Sequence, residues 1–140
     1  MVAIMDTKPT RELFPIDTTP RIFAISQASQ YCEARGIDPY DDKLQQWRLG
    51  KVTIDELTTG PADSELRLES RKFAVTVAKT MRMVGFDSAQ QMSDLSNPVF
   101  IPYDNLMTLT IIGQMTLEDF IAKSSDFVFS LGLNPPATSA

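Results

Sequence analysis

The clearest periodic stretch of the chain runs from Ser64 to Val84, SELRLESRKFAVTVAKTMRMV. Leu66, Phe73, Ala74, Val77, Met81 and Val84 recur at spacings of three, four and seven, so they fall on one face of a helix. Asp63 is the expected N-cap. Gly85 is the expected stop, because glycine enters the left-handed C′ conformation without a Cβ penalty. The opposite flank carries Arg67, Arg71, Lys72, Lys79 and Arg82. At roughly 100° per residue these five spread over less than half of the circumference. The pattern predicts a central amphipathic helix, apolar toward a core and basic toward solvent or a partner.

Shorter signals flank it. Thr19-Pro20 is expected to open a first helix as N-cap and N1, with Ile22, Ile25, Ala28 and Cys32 inward and Gly36 as the stop. Asp38-Pro39 is expected to open a second, with Leu44 and Trp47 inward and Gly50 closing it. Thr53-Ile54-Asp55-Glu56 has the form of a capping box, opening a short turn of helix that ends near Thr59-Gly60. Asp87 to Gln90 is a further capping-box candidate, with Met92 and Leu95 inward. Asn97 to Pro102 reads as extended, because proline disfavours helix in the residue before it. From Tyr103 to Gln114 the spacing of Leu106, Leu109 and Ile112 fits a helix, and the β-branched run Thr108, Thr110, Ile111, Ile112 fits a strand. Context favours helix. Thr116 is expected to cap a last helix, with Glu118 and Asp119 in its first turn and Gly132 after it.

These elements predict an all-α domain, five or six short helices around the central one, over residues 19–133. Residues 1–18 show no helical period and read as an extended arm, and residues 134–140 as a tail. Leu13, Phe14 and Ile16 make the arm unusually apolar. It either straps its own domain or buries those side chains on a neighbouring subunit. Phe127 and Phe129 cannot both face inward on one helix, since a two-residue step turns roughly 200°. One of them, with Leu131 and Leu133, is expected at the surface as a protein contact.

At 140 residues the chain is long enough for one core. Its net charge of −5 argues against general nucleic-acid binding, which needs a basic surface. The chain has no histidine, which removes histidine-based catalysis and histidine metal sites. The one cysteine, Cys32, forms no internal disulfide and reads as a small core residue in a reducing compartment. Asp38, Asp41 and Asp42 read as a helix cap with first-turn acids, not as a metal site, because a calcium loop has a longer, glycine-bearing pattern. No cofactor and no metal are expected. No apolar run approaches the roughly 20 residues of a membrane span, and Met1 to Met5 is too short for a signal peptide. The expected location is the cytoplasm, or a particle assembled there.

Leu44, Lys51-Val52-Thr53, the pair Asp55-Glu56, Pro61, Leu66-Arg67-Leu68, the Ala78 to Gly85 region, and Ile101-Pro102 with Asp104 before Leu106 carry a partial resemblance. Across about half of the chain the order resembles the small subunit of the adenosylcobalamin-dependent diol and glycerol dehydratases. That resemblance implies a helical chain that dresses a larger catalytic subunit without supplying its catalytic groups or holding its cobalamin. The family's arginine- and alanine-rich stretch before the Ile-Pro step, and its Leu-Arg-Pro after it, are missing here.

The chain therefore reads as a non-catalytic helical subunit or assembly component of a larger complex, either an accessory enzyme subunit or a virus or phage particle component. The expected contacts are Leu13, Phe14, Ile16, the five basic residues, Phe129, Leu131 and Leu133. The alternative is a small regulatory or binding domain that uses the basic face for an anionic ligand or nucleic acid.

Overall fold

The computed structural model describes residues 18–59, 64–86, 94 and 96–132. Six helices lie among them, with no strand: α1 Thr18–Ala34, α2 Asp42–Arg48, α3 Ile54–Thr58, α4 Glu65–Met83, α5 Phe100–Ile111 and α6 Leu117–Ser130. The all-helical class and the central position of α4 agree with the hydrophobic pattern. Leu13, Phe14, Ile16, Leu133 and the expected helix after Asp87 lie outside the described residues.

α1 begins at Thr18, one residue inside the expected arm, so Thr19 is not its cap. Pro20 sits in the first turn, where its missing N–H costs no intrahelical bond. The inward face of α1 is Ala24, Ile25, Ala28, Tyr31 and Cys32, all buried. Ile22, expected inside, is 43% exposed. It lies six residues from Ala28, roughly 120° around the helix, and so clears the face centred there. At the end of α1 the Ile37 N–H donates to the Cys32 carbonyl and the Gly36 N–H to the Glu33 carbonyl, each at 3.0 Å. That pair of bonds is a Schellman turn, with Gly36 at φ 77°.

The cap of α2 is Asp41, not Asp38. Its carboxylate accepts from the Lys43 N–H at 3.0 Å. Asp38 instead accepts from the Tyr40 N–H at 3.1 Å and shapes the turn before the helix. In α3 the Thr53 hydroxyl accepts from the Glu56 N–H at 3.1 Å and the Glu56 carboxylate accepts from the Thr53 N–H at 2.8 Å, which completes the capping box. Leu44, Trp47 and Leu57 turn these two short helices toward the core.

Ser64, not Asp63, caps α4, accepting from the Arg67 N–H at 3.1 Å. α4 packs most extensively on α1, and also on α3 and α6. Small residues set the α1–α4 spacing: Ala24 and Ala28 on one helix, Ser70, Ala74 and Ala78 on the other, all buried. The Ser70 hydroxyl crosses that seam to the Ala28 carbonyl at 3.2 Å. Gly85, at φ 90°, turns the chain back after α4. The Phe86 N–H returns to the Met81 carbonyl at 2.7 Å, and Phe86 enters the core edge-on to Phe100 at 5.8 Å.

The stretch 97–102 is not extended as expected. Asn97 makes a tight turn, its side chain accepting from the Val99 N–H at 2.9 Å and its carbonyl from the Phe100 N–H at 3.0 Å. α5 starts at once, and Pro102 falls in its first turn, where no bond is lost. Burial of Phe100, Tyr103 and Met107 outweighs the steric preference of the residue before proline. α5 and α6 then form an antiparallel hairpin, with Tyr103 near the start of one stacked on Phe127 near the end of the other at 6.4 Å. A chain of rings, Tyr31 to Phe73 at 4.9 Å, Phe73 to Phe120 at 5.2 Å and Phe120 to Tyr103 at 5.8 Å, joins the hairpin to the α1–α4 pair. Each such fully buried side chain contributes about 1.5–3 kcal/mol. Arg35 closes the other side. Its guanidinium donates to the Thr110 carbonyl at 2.8 Å and the Ile111 carbonyl at 3.0 Å, at the end of α5 where the Thr110 carbonyl also accepts from the Gly113 N–H at 3.2 Å.

Candidate interaction surfaces

Of the five basic residues read as one stripe, four separate into two pairs with different surroundings and Lys72 belongs to neither. Arg71 is buried, and its Nε donates to Asp41 Oδ2 at 2.8 Å and its Nη2 to Asp41 Oδ1 at 3.2 Å. Arg67 donates to the Tyr40 carbonyl and lies 4.0 Å from the Asp38 carboxylate. Both therefore bind the 38–41 turn to α4 rather than facing solvent. The flank taken as free is covered because Arg71, Val75, Ala78 and Arg82 share one stripe of α4, and its middle is apolar. Ile54 of α3 and Trp47 of α2 lie over Val75 and Ala78. Lys72 remains exposed.

Lys79 and Arg82 sit at the other end of that stripe, around a shallow hollow to which α1 adds Arg21. The Arg21 guanidinium lies 5.4 Å from the Trp47 ring centroid and donates to the Trp47 carbonyl at 3.0 Å. Arg21 was not among the expected site residues. Its only signal in the sequence was a cation one residue after Pro20, with nothing to pair it with α4.

The apolar edge expected at the end of α6 is present. Phe127 packs against the core, whereas Phe129 is 73% exposed and Leu131 39%. Ile101, 46% exposed, lies at the start of α5 and hence at the same end of the hairpin. The fourth expected member, Leu133, lies outside the described residues.

Between α4 and α6 runs a groove of about 260 Å³ that the sequence did not announce. Lys79 and Met83 of α4 face Ile121, Ser124, Ser125 and Val128 of α6 across it. Thr76 and Thr80 also line it, and the Thr76 hydroxyl is engaged, donating to the Lys72 carbonyl at 2.9 Å. The Ser124 hydroxyl is buried and has no hydrogen-bond partner. No ion pair of Lys79 occurs among the described residues, and no acidic side chain lines the groove.

Among the described residues no group of three or more acidic or cysteine side chains is placed to hold a metal ion, and no helix is long and apolar enough to cross a membrane. Cys32 is buried. Comparison with family models, with curated proteins and with solved structures finds no match to this chain.

Proposed function

We propose that the chain is a non-catalytic helical subunit of a larger protein assembly, docked through the end of the α5–α6 hairpin. The observation that carries this reading is Phe129, 73% exposed on a helix whose other two aromatic side chains, Phe120 and Phe127, pack in or against the core. An exposed phenylalanine, with the apolar Ile101 and Leu131 also exposed at this end of the hairpin, is the kind of side chain that anchors protein interfaces. Leu13, Phe14 and Ile16 would extend the contact. An accessory enzyme subunit, as in the cobalamin-dependent dehydratases that part of the sequence resembles, and a structural component of a virus or phage particle are the two forms this role takes.

Native mass spectrometry of the untagged protein from its source, across a salt series, tests the reading. The expected result is a defined assembly that survives high salt, because apolar contacts are not screened, and that dissociates on Phe129→Asp. A lone species of 15.6 kDa at all salt concentrations would overturn it.

The convergence of Arg21, Lys79 and Arg82 supports the second reading, a binding domain for an anionic partner such as nucleic acid. That partner would be lost steeply as salt rises.

A further inference from the structure

We infer that the outer face of α6 and the groove beside it form a two-fold contact between two copies of this chain, in which the Phe129 ring of each copy seats in the α4–α6 groove of the other. The inference rests on the assembly reading and names what meets Phe129 there.

One helix supplies both halves of the contact. Ile121, Ser125 and Phe129 follow one another at steps of four, so they share a face of α6 and lie about 6 Å apart along it. Ile121 and Ser125 belong to the groove wall, and the exposed Phe129 stands one turn beyond them. Projection and hollow are therefore neighbours on one surface. A two-fold axis between them sets each projection over the other copy's hollow, and both exchanges are made at once. An unlike partner would have to bring a pocket for Phe129 and a separate side chain for the groove, whereas a second copy brings both. The sizes agree. The groove of about 260 Å³ equals roughly nine liquid waters at about 30 Å³ each, and a benzyl group occupies about seven such volumes. The wall suits the ring, since Met83, Ile121 and Val128 are apolar and a thioether contacts aromatic rings favourably. Ala122 and Ser125, both exposed, are small enough to let a second α6 approach. The charges agree as well. Lys79 is the one ionised side chain on the groove wall, on the crest of α4 that also borders the Arg21 hollow. Asp126, exposed and three residues before Phe129, is a nearest neighbour of the ring on its own helix. As the ring enters the groove it carries Asp126 to the Lys79 lip, and the two-fold makes that ion pair twice.

Sedimentation equilibrium of the purified full-length chain over a concentration series tests this. The expected result is a monomer–dimer equilibrium whose larger species has twice the mass of the 15.6 kDa chain. Phe129→Asp should weaken the dimer by about thirtyfold or more, as loss of a central aromatic anchor does, with helical circular dichroism unchanged. Lys79→Glu alone sets two acids against each other at both ion pairs, and Asp126→Lys alone sets two lysines. Each variant by itself should therefore dimerise about tenfold or more weakly than the parent. An equimolar mixture of the two should recover the parent's affinity, because every pair then joins opposite charges. A variant that had merely failed to fold could not be rescued in this way. A parent chain that stays monomeric throughout the series, a dimer that survives Phe129→Asp, or a mixture no tighter than its components would overturn the inference. The assembly reading is judged apart from it: if the pure chain is monomeric while the assembly from the source still dissociates on Phe129→Asp, the partner is an unlike chain and only the present inference falls.

Discussion

Asp41 performs two tasks with one carboxylate. It caps α2 and it holds Arg71 in a two-bond ion pair whose side chains are 3% and 7% exposed. Neither charge can reach water if the other is removed. Asp41→Asn keeps the cap, because asparagine caps as well as aspartate, but strands the guanidinium. We expect it to lose about 3–5 kcal/mol in urea unfolding. Adding Arg71→Met should restore part of the loss, and a double variant no more stable than the single one would show that the pair does not act as a unit. Tyr103 is the other residue held by its surroundings. It is fully buried, its hydroxyl donates to the Val77 carbonyl at 3.3 Å, and burial pushes its phenol far above the ordinary tyrosine value. The folded state therefore keeps a proton that the unfolded chain gives up near pH 10. The stabilisation is fully present below that pH and declines as pH rises above it. The ultraviolet signature of phenolate should appear for Tyr40, which is exposed, before Tyr103, whose ionisation should coincide with loss of helical circular dichroism.

At the scale of the element, local punctuation carried most of the information. The Thr53 capping box, the Thr116 cap and the stops at Gly36, Gly50, Gly85 and Gly132 were legible because each depends on residues within one turn. Gly85 is the most consequential of them, since its φ of 90° directs Phe86 into the core. Open space surrounds the position a Cβ would take, so Gly85→Ala isolates the backbone strain, about 1–2 kcal/mol. Thermal unfolding should register a loss of that size, and Gly85→Asn should lose less. The errors arose where tertiary burial overruled local preference. Residues 97–102 carry two prolines, yet Phe100 and Tyr103 gain enough burial to begin a helix across the second. The same competition moved the cap of α2 from Asp38 to Asp41, because only Asp41 is within reach of Arg71. Ile22 was placed inside by a spacing rule that cannot say where the centre of a face lies.

For the molecule as a whole, the surfaces were legible in proportion to how local they are. That one of Phe127 and Phe129 must lie outside follows from helical geometry alone. The division of the basic stripe does not. Arg71 is taken inward by a residue 30 positions away, and Arg21 joins Lys79 and Arg82 only through the antiparallel packing of α1 on α4. The α4–α6 groove was invisible because its two walls lie about 40 residues apart in the sequence. The same long-range pairing predicts how the fold divides. A fragment ending at Thr59 contains α1, α2 and α3 but not the helix they pack on, so it should show little stable helix by circular dichroism. The full chain should unfold as one transition.

The dependence of α1 on α4 also sets an order of events during synthesis. After Ala34, the last residue of α1, 49 further residues complete α4 at Met83. At roughly 5–20 residues per second the ribosome takes about 2–10 s to deliver them. Throughout that interval Ala24, Ala28 and Tyr31 lack the α4 surface they close against, so the nascent chain holds this apolar face of α1 open to whatever meets it at the exit tunnel.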